Sequence, residues 1–273
     1  MEFKLPKREQ LSNKGTFGKV LNVAGSEYYT GAAYLSSISA LKVGCGYVAL
    51  SSSPKVLNTV ALRTSDLVFI PITEVKKALK NYDVVSVGCG LSTDLSVSIL
   101  FKSLLDSLAS FEGTVIIDAD GLNLLSKIKK EIELPKKLII TPHPKEASRL
   151  LDVEVEEILE NPMDYAKQLT EKYGCTTVLK LHNTIVCSSE GEIYINETGN
   201  SALAKAGSGD VLTGMISGLV AQGLSDFEAA KLGVYLHGRT GEIASSMLSE
   251  YSVLASDLLN YIPLAITDML VKD

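Results

Sequence analysis

The chain predicts a three-layer α/β/α domain with a mostly parallel central sheet and an antiparallel edge. Three observations lead there. Short β-rich runs alternate with helix-period runs along most of the 273 residues, the pattern of parallel strands joined by crossover helices. Three closely spaced short strands near residues 176–196 interrupt that alternation and read as an antiparallel group. Polar and glycine clusters fall at strand C-terminal ends, the edge at which open α/β sheets bind ligands.

The elements follow in order. Residues 19–24 (KVLNVA) read as a strand and 31–42 as a helix with Tyr34, Ile38 and Leu41 on one face. Strands are expected at 47–50, 67–70 and 83–87, the last ending at Gly88-Cys89-Gly90. A helix over 94–110 carries Val97, Leu100, Leu104 and Leu108 at helical spacing, with Thr93 as its N-cap. Strands at 114–117 and 137–140 run into Asp118 and into Thr141-Pro142-His143-Pro144. After a helix over 163–173 come strands at 176–180, 184–188 and 192–196, the last two joined by a Glu190-Gly191 turn. Helices over 211–222, 225–248 and 252–270 complete the chain. There is no Pro-, Gly- or Ser-rich linker and no repeat, so residues 1–273 read as one domain.

Composition narrows the function classes. Apolar residues make up 46% and charged residues 21%, ample for a packed core. A net charge of −6 argues against nucleic acid or an acidic membrane as the main partner. No run approaches the roughly 18–20 apolar residues of a transmembrane helix. The N-terminal segment lacks the apolar stretch of a signal peptide. Cys45, Cys89, Cys175 and Cys187 are far apart and form no C-x-x-C, so they read as small buried hydrophobes. A cytoplasmic enzyme is the expectation.

The densest chemistry lies in residues 196–214. Gly207, Ser208 and Gly209 can bring bare backbone N–H groups to an anion, and the following helix points its positive end there. Asp210 stands at the mouth, placed to take a hydroxyl proton while the loop receives negative oxygens. Other templates fail. The chain lacks G-x-x-x-x-G-K-[ST], G-x-G-x-x-G and G-x-S-x-G, and its three histidines offer no metal cluster on standard spacing.

Several residues carry two readings. Asp120 either caps the helix that follows or lines the site, whereas Asp118, ending an apolar strand, is expected to face it through Mg²⁺-bound water. Asn123 caps a backbone group or hydrogen-bonds a substrate. His143 is held between two prolines, which point its ring. Glu146 is a first-turn acid or a site residue. Lys180, Leu181, His182, Asn183 and Thr184 form a turn between strands, or present the lysine to a nucleotide phosphate or base. His237 reads as packing.

Together the segments resemble the ADP/ATP-dependent NAD(P)H-hydrate dehydratases of the ribokinase-like superfamily. The likeness runs through Asn13-Lys14-Gly15-Thr16-Phe17-Gly18, Ala24-Gly25-Ser26 with Thr30-Gly31-Ala32-Ala33, and Gly88-Cys89-Gly90-Leu91. It continues through Asp118-Ala119-Asp120-Gly121-Leu122-Asn123, Thr141-Pro142-His143-Pro144-Lys145-Glu146 and Val178-Leu179-Lys180. It ends with Gly199-Asn200 onward to Gly214, and Gly233-Val234-Tyr235-Leu236-His237-Gly238. The T-P-H-P-x-E segment together with G-N-x-x-L-A-x-x-G-[ST]-G-D is the specific part.

The resemblance implies repair of hydrated NADH or NADPH, which carries a hydroxyl on C6 of the reduced nicotinamide. ADP (or ATP) with Mg²⁺ would drive its loss. Asp210 would be the catalytic base and would also contact the substrate. Ala32 or Ala33, Gly90 and His143 match substrate-contacting positions, with Asn123 a further candidate. Lys180 to Thr184 and Gly209 match positions for the nucleotide's AMP portion, and the Gly207, Ser208 and Gly209 amides would hold the phosphoryl group. A homotetramer is implied, as is functional pairing with a separate NAD(P)H-hydrate epimerase. The epimerase domain fused to the N-terminus of some relatives is not expected, since about a dozen residues precede the match. This chain departs from the family with Leu181 for a usual Gly, Asn13 for a usual His, and Cys89 for a common Pro. Two competitors remain: a same-fold kinase acting on a small hydroxymethyl compound such as a vitamin precursor, and a non-catalytic nucleotide sensor.

Overall fold

Residues 3–128 and 132–272 are described in the structure, a computed structural model. The extreme ends of the expected 1–273 domain and residues 129–131 lie outside them. The strands are β1 (Lys19–Val23), β2 (Tyr47–Ser52), β3 (Val68–Pro71), β4 (Val84–Val87), β5 (Thr114–Ile117), β6 (Leu138–Ile140), β7 (Thr176–Leu179), β8 (Ile185–Cys187) and β9 (Ile193–Ile195). The helices are α1 (Thr30–Lys42), α2 (Pro54–Ala61), α3 (Val75–Ala78), α4 (Leu95–Leu108), α5 (Asp120–Ser126) and α6 (Pro144–Leu151). They continue with α7 (Val155–Glu160), α8 (Pro162–Tyr173), α9 (Ser208–Ala221), α10 (Asp226–Leu248) and α11 (Ala255–Lys272).

All nine strands form one sheet in the order β3-β2-β1-β4-β5-β6-β7-β8-β9. Pairings from β3 across to β7 are parallel, and β7-β8-β9 are antiparallel, as the sequence predicts. The chain builds outward from β1 through β2 to β3, then returns to β1's other side as β4. That reversal opens a crevice at the carboxyl ends of β1 and β4, where such sheets bind ligands. Central strands are buried on both faces, so apolar residues fill both alternations. Leu21, Val85, Val115 and Ile117 pack into the layer with α4 and α8. Val20, Val84 and Ile116 pack into the layer with α1, α9, α10 and α11.

The tightest helix contact seats α9 on α1. A Cβ at Gly214 would meet the Ser36 carbonyl oxygen and the Ser39 Oγ at 2.0 Å each, and one at Gly218 would meet the Ala40 carbonyl oxygen at 2.4 Å. The i, i+4 glycines thus place one backbone directly against the other. This fixes the height at which α9 begins, and with it the loop before it.

The expected elements fall within a few residues of the observed ones. Thr93 does not cap its helix. Asp94 occupies that position, in extended conformation, with its carboxylate held by the Ser92 hydroxyl at 2.7 Å. Helices α2 and α7 escape the sequence reading because six to eight residues are too few for a helical period to stand out, whereas α6 has Glu146 in its first turn as one reading expected. The four cysteines are free and buried, as expected. Among the described residues, no helix is long and apolar enough to cross a membrane.

Gly214→Ala would gain about 1 kcal/mol of helix propensity, but overpacking costs about 1–3 kcal/mol and the clash here is with backbone. Net destabilisation of about 2 kcal/mol is expected in urea unfolding. Gly31→Ala, which meets open space on α1, should be neutral or stabilising. Equal behaviour of the two variants would contradict the close crossing.

Candidate active site

Each strand end at the crevice contributes one feature. After β1, Gly25 (φ +82°) donates its N–H to the Cys89 carbonyl at 2.8 Å, joining the β1 and β4 turns. After β4, Gly88 (φ +126°) lies so close to the next turn that a Cβ would fall 2.0 Å from the Asp118 carbonyl oxygen. Gly90 (φ +61°) abuts Ala32 and Tyr29, whose Cβ atoms would each sit 2.7 Å from an added one. Gly90 and Ala32 therefore form one wall. Ala33 is fully buried and faces Gly25, behind that wall.

Asp118, after β5, is the buried centre of the site. Lys180, after β7, donates to its Oδ1 at 2.6 Å, and Thr213 of α9 donates to its Oδ2 at 2.6 Å. Burial works to raise the Asp118 carboxyl, but the Lys180 ammonium and these hydrogen bonds outweigh it and hold the group below its ordinary range. Burial works to lower Lys180, yet Asp118 and Glu146, the latter 3.9 Å away, hold it above its own. Lys180 therefore stays charged.

The remaining acids are held up chiefly by burial. Asp118, Glu146 and Asp210 set three carboxylates around one ammonium. Burial and the Asp118 charge push Asp210 up to about 6. Burial chiefly, with Asp118 adding, pushes Glu146 up to about 7. An acid poised there exchanges its proton near neutrality, as a general base must.

His143 and Glu146 build the start of α6. The ring Nδ1 accepts from the backbone N–H groups of Lys145 (3.1 Å) and Glu146 (3.3 Å), while Glu146 Oε2 accepts from the His143 N–H at 2.9 Å. This is a capping box with histidine in the serine role. Two amides donate to Nδ1, so the hydrogen-bond network assigns the neutral ring's proton to Nε2, which lies 3.3 Å from Glu146 Oε1. Burial and the nearby Lys180 lower the ring's pKa, favouring that neutral form.

Facing this cluster, α9 starts at Ser208 behind Gly207, whose φ of +93° and crowding by Leu35 and Ala255 exclude a side chain. First-turn amides have no intrahelical acceptor and meet the positive end of the helix dipole. A Cβ on Gly209 would lie 3.5 Å from Lys180 Nζ, so the ammonium stands beside those amides. His237, expected as packing, is buried with Nε2 3.1 Å from Ser208 Oγ, and burial lowers it to about 4. A neutral ring thus pins the serine. The preceding loop hangs on α10: Gly199 N–H donates to Glu242 Oε1 at 2.7 Å, and Asn200 Nδ2 to Ser245 Oγ at 2.8 Å.

The structure brings together Ala32, Gly90, His143, Lys180, Gly207, Ser208, Gly209 and Asp210 at this edge. Asn123 instead accepts from Arg149 at 2.6 Å, tying α5 to α6. Asp120, in the first turn of α5, accepts the Ser92 N–H at 2.8 Å and holds the turn after Gly90, and its charge reaches Asp210. Residues 181–184 are a tight turn. Leu181 packs against the core, Thr184 Oγ1 donates to the Leu181 carbonyl at 3.1 Å, and His182 and Asn183 are exposed. Asn13 replaces histidine without loss of the turn, its Oδ1 accepting the Gly15 N–H at 2.8 Å. None of the three histidines enters a cluster of candidate metal ligands among the described residues, but the fold gathers Cys89, Asp118 and Asp210 with ligand atoms within 4.8 Å of one another. The Thr213–Asp118 and His237–Ser208 bonds carried no sequence signal, since both are contacts between distant segments.

The family model of the NAD(P)H-hydrate dehydratases matches residues 20–264. The chain is similar to the ADP-dependent (S)-NAD(P)H-hydrate dehydratase of Neisseria meningitidis, 36% identical over 255 residues that cover 92% of this chain and 84% of that one. Its fold is similar to that of the ADP/ATP-dependent NAD(P)H-hydrate dehydratase from Bacillus subtilis co-crystallised with ATP/Mg²⁺. That match has a TM-score of 0.87 and 31% identity, covering 97% and 94% of the two chains. It is also similar to a ribokinase-like superfamily protein of Enterococcus faecalis, with a TM-score of 0.89, 26% identity and 97% and 92% coverage. The chain spans about half, 52%, of the length of curated relatives called bifunctional NAD(P)H-hydrate repair enzymes.

The raised Glu146 makes a signed prediction. A carboxyl held above its unfolded value of 4.5 binds its proton more tightly in the folded state. Its stabilising contribution is complete below that value and is lost as pH rises through about 7. The stability of the wild type relative to Glu146→Gln should therefore fall between those two pH values, as measured by urea unfolding of both proteins. A rising difference would contradict the burial argument.

Proposed function

The chain belongs to the NAD(P)H-hydrate dehydratase family, and we propose that it performs ADP-dependent dehydration of hydrated NADH or NADPH, releasing AMP and phosphate. The observation that carries this reading is the position of Asp210. It stands in the first turn of α9 beside Cys89 and Asp118, with a carboxyl pushed up to about 6. In this proposal Asp210 takes the proton of the C6 hydroxyl. The hydroxyl oxygen then attacks the terminal phosphoryl group, whose bond to AMP breaks. The C6–O bond cleaves next, pushed by the ring nitrogen's lone pair, and loss of the C5 proton restores the double bond. Phosphate departs, and one ADP is consumed per NAD(P)H restored.

The surrounding residues position rather than react, which suits phosphoryl transfer. The Gly207, Ser208 and Gly209 backbone holds the terminal phosphoryl group, and Lys180 adds charge to that seat. The turn of Leu181, His182, Asn183 and Thr184 flanks the AMP portion, with ATP able to replace ADP. Ala32, Gly90 and the Nε2–H of His143 bound the hydrate's nicotinamide end, with Asn123 at the periphery. Mg²⁺ fits the donor set, since Asp118 and Asp210 offer hard oxygens where negative charge is in excess, and when bound it supplies charge neutralisation to the phosphates. The family resemblance supports a cytoplasmic homotetramer working with a separate NAD(P)H-hydrate epimerase.

Incubation with hydrated NADH, ADP and Mg²⁺ should restore absorbance at the NADH band. Failure there, with phosphorylation of a hydroxymethylpyrimidine-type alcohol, would identify a same-fold kinase instead. Asp210→Asn should lower turnover by about 10²–10⁴-fold, the span of general-base catalysis, while nucleotide still binds in calorimetry. Retention of activity within a few-fold would sink the base assignment, and would suit a nucleotide sensor. In the wild type, kcat/KM should rise with pH through about 6 as Asp210 ionises; a profile flat across that range would contradict this role.

A further inference from the structure

The reaction steps above engage the nicotinamide end of the hydrate and leave the rest of the dinucleotide unplaced. Its diphosphate bridge is an anion. The cluster beside His143 offers the carboxylates of Asp118, Glu146 and Asp210 against the Lys180 ammonium, which Asp118 already holds at 2.6 Å. An anionic substrate therefore needs positive charge from another element.

Helix α6 supplies it. Lys145 and Arg149 stand at i, i+4 on its surface, and both are exposed. Arg149 Nη1 donates to Asn123 Oδ1 at 2.6 Å. That amide fixes the guanidinium without neutralising it, and neither cation has a carboxylate partner among the described residues. The other arginines are engaged: Arg239 by Glu242 and Asp268, Arg8 by the Phe17 ring and Arg63 by the Tyr34 ring. Like charges at this spacing repel, a local cost that an anion between them would relieve.

Helix geometry ties these cations to the site. Arg149 lies six residues beyond His143, about 9 Å along the axis, and a helical side chain leans back over the preceding turn. Its charge accordingly reaches the site. It adds to the lowering of His143 by burial and Lys180, and it opposes the burial that raises Glu146. One ribose separates the diphosphate from the nicotinamide, a span of the same order as that from His143 to the leaning guanidinium.

We propose that Lys145 and Arg149 form the seat for the diphosphate bridge of the hydrated dinucleotide, with Asn123 positioning the guanidinium. The proposal rests on the reading of His143 as a wall of the nicotinamide end. The planar fork of Arg149 matches two phosphate oxygens, and Lys145 adds a point charge. The seat selects the dinucleotide over a free nicotinamide riboside, and it is separate from the α9 amides that take ADP.

The test is equilibrium binding of intact NADH, followed by its fluorescence, with ADP and Mg²⁺ saturating so that the adenine-nucleotide seat is filled. No turnover is required. Arg149→Ala should bind NADH at least about tenfold more weakly than wild type, the loss expected for hydrogen bonds to a charged group. Its affinity for ADP, measured by calorimetry without NADH, and for reduced nicotinamide riboside should be unchanged. Arg149→Lys keeps the charge without the fork and should fall between the two. Lys145→Ala, which leaves the Asn123 bond intact, should also weaken NADH binding, and it keeps the test decisive if Arg149→Ala fails to fold. Unchanged NADH affinity in these variants, or an equal loss with ADP or the riboside, would overturn the seat alone. A wild type that binds no NADH would strike the substrate reading with it, whereas failed dehydration with this binding pattern intact would strike the reaction and leave the seat.

Discussion

The buried ion pair between Asp118 and Lys180 is the interaction on which the site depends. It joins the end of β5 to the end of β7, and Thr213 brings α9 onto the same carboxylate. Removing one member of such a pair costs about 3–5 kcal/mol, because the other is left buried and uncompensated. Its electrostatic effect reaches further. With Asp118 committed to the ionised form and Lys180 largely neutralised by it, Asp210 and Glu146 are left in negative surroundings. Burial is the main cause of their raised pKa values, and the Asp118 charge adds to it.

Close backbone approach is the second constraint. Gly88 brings the β4 turn against the β5 turn, Gly90 brings it against α1, and Gly214 with Gly218 brings α1 against α9. Each glycine removes a side chain between two parts of the site. The Gly207 seat, the Gly90–Ala32 wall and Asp118 are close together because these backbones touch. The site's geometry is therefore set by contacts that contain no catalytic atom.

Much of this was legible in the sequence. Strand–helix alternation predicts the parallel sheet, and the closely spaced strands of residues 176–196 predict its antiparallel edge. Glycine and acid clusters at strand ends predict which edge carries the site. Short helices such as α2 and α7 did not register, having only about two turns of pattern. Asp120 and Asn123 lie in the same segment as Asp118 but turn to Ser92 and Arg149, a direction that only the folded turn determines. The union of Cys89 with two aspartates, and of His237 with Ser208, spans segments far apart in sequence, so spacing carries no trace of either. The difference is between information held locally and contacts made by folding.

The central claim is that this site turns a poor leaving group, hydroxyl, into a good one by transferring a phosphoryl group to it. The most direct measurement follows the hydroxyl oxygen. Hydrated NADH labelled with a heavy oxygen isotope at the C6 hydroxyl is turned over once with ADP and Mg²⁺, and the released phosphate is analysed by mass spectrometry. The account predicts one labelled oxygen in each phosphate. Label recovered only in water, with unlabelled phosphate, would contradict it.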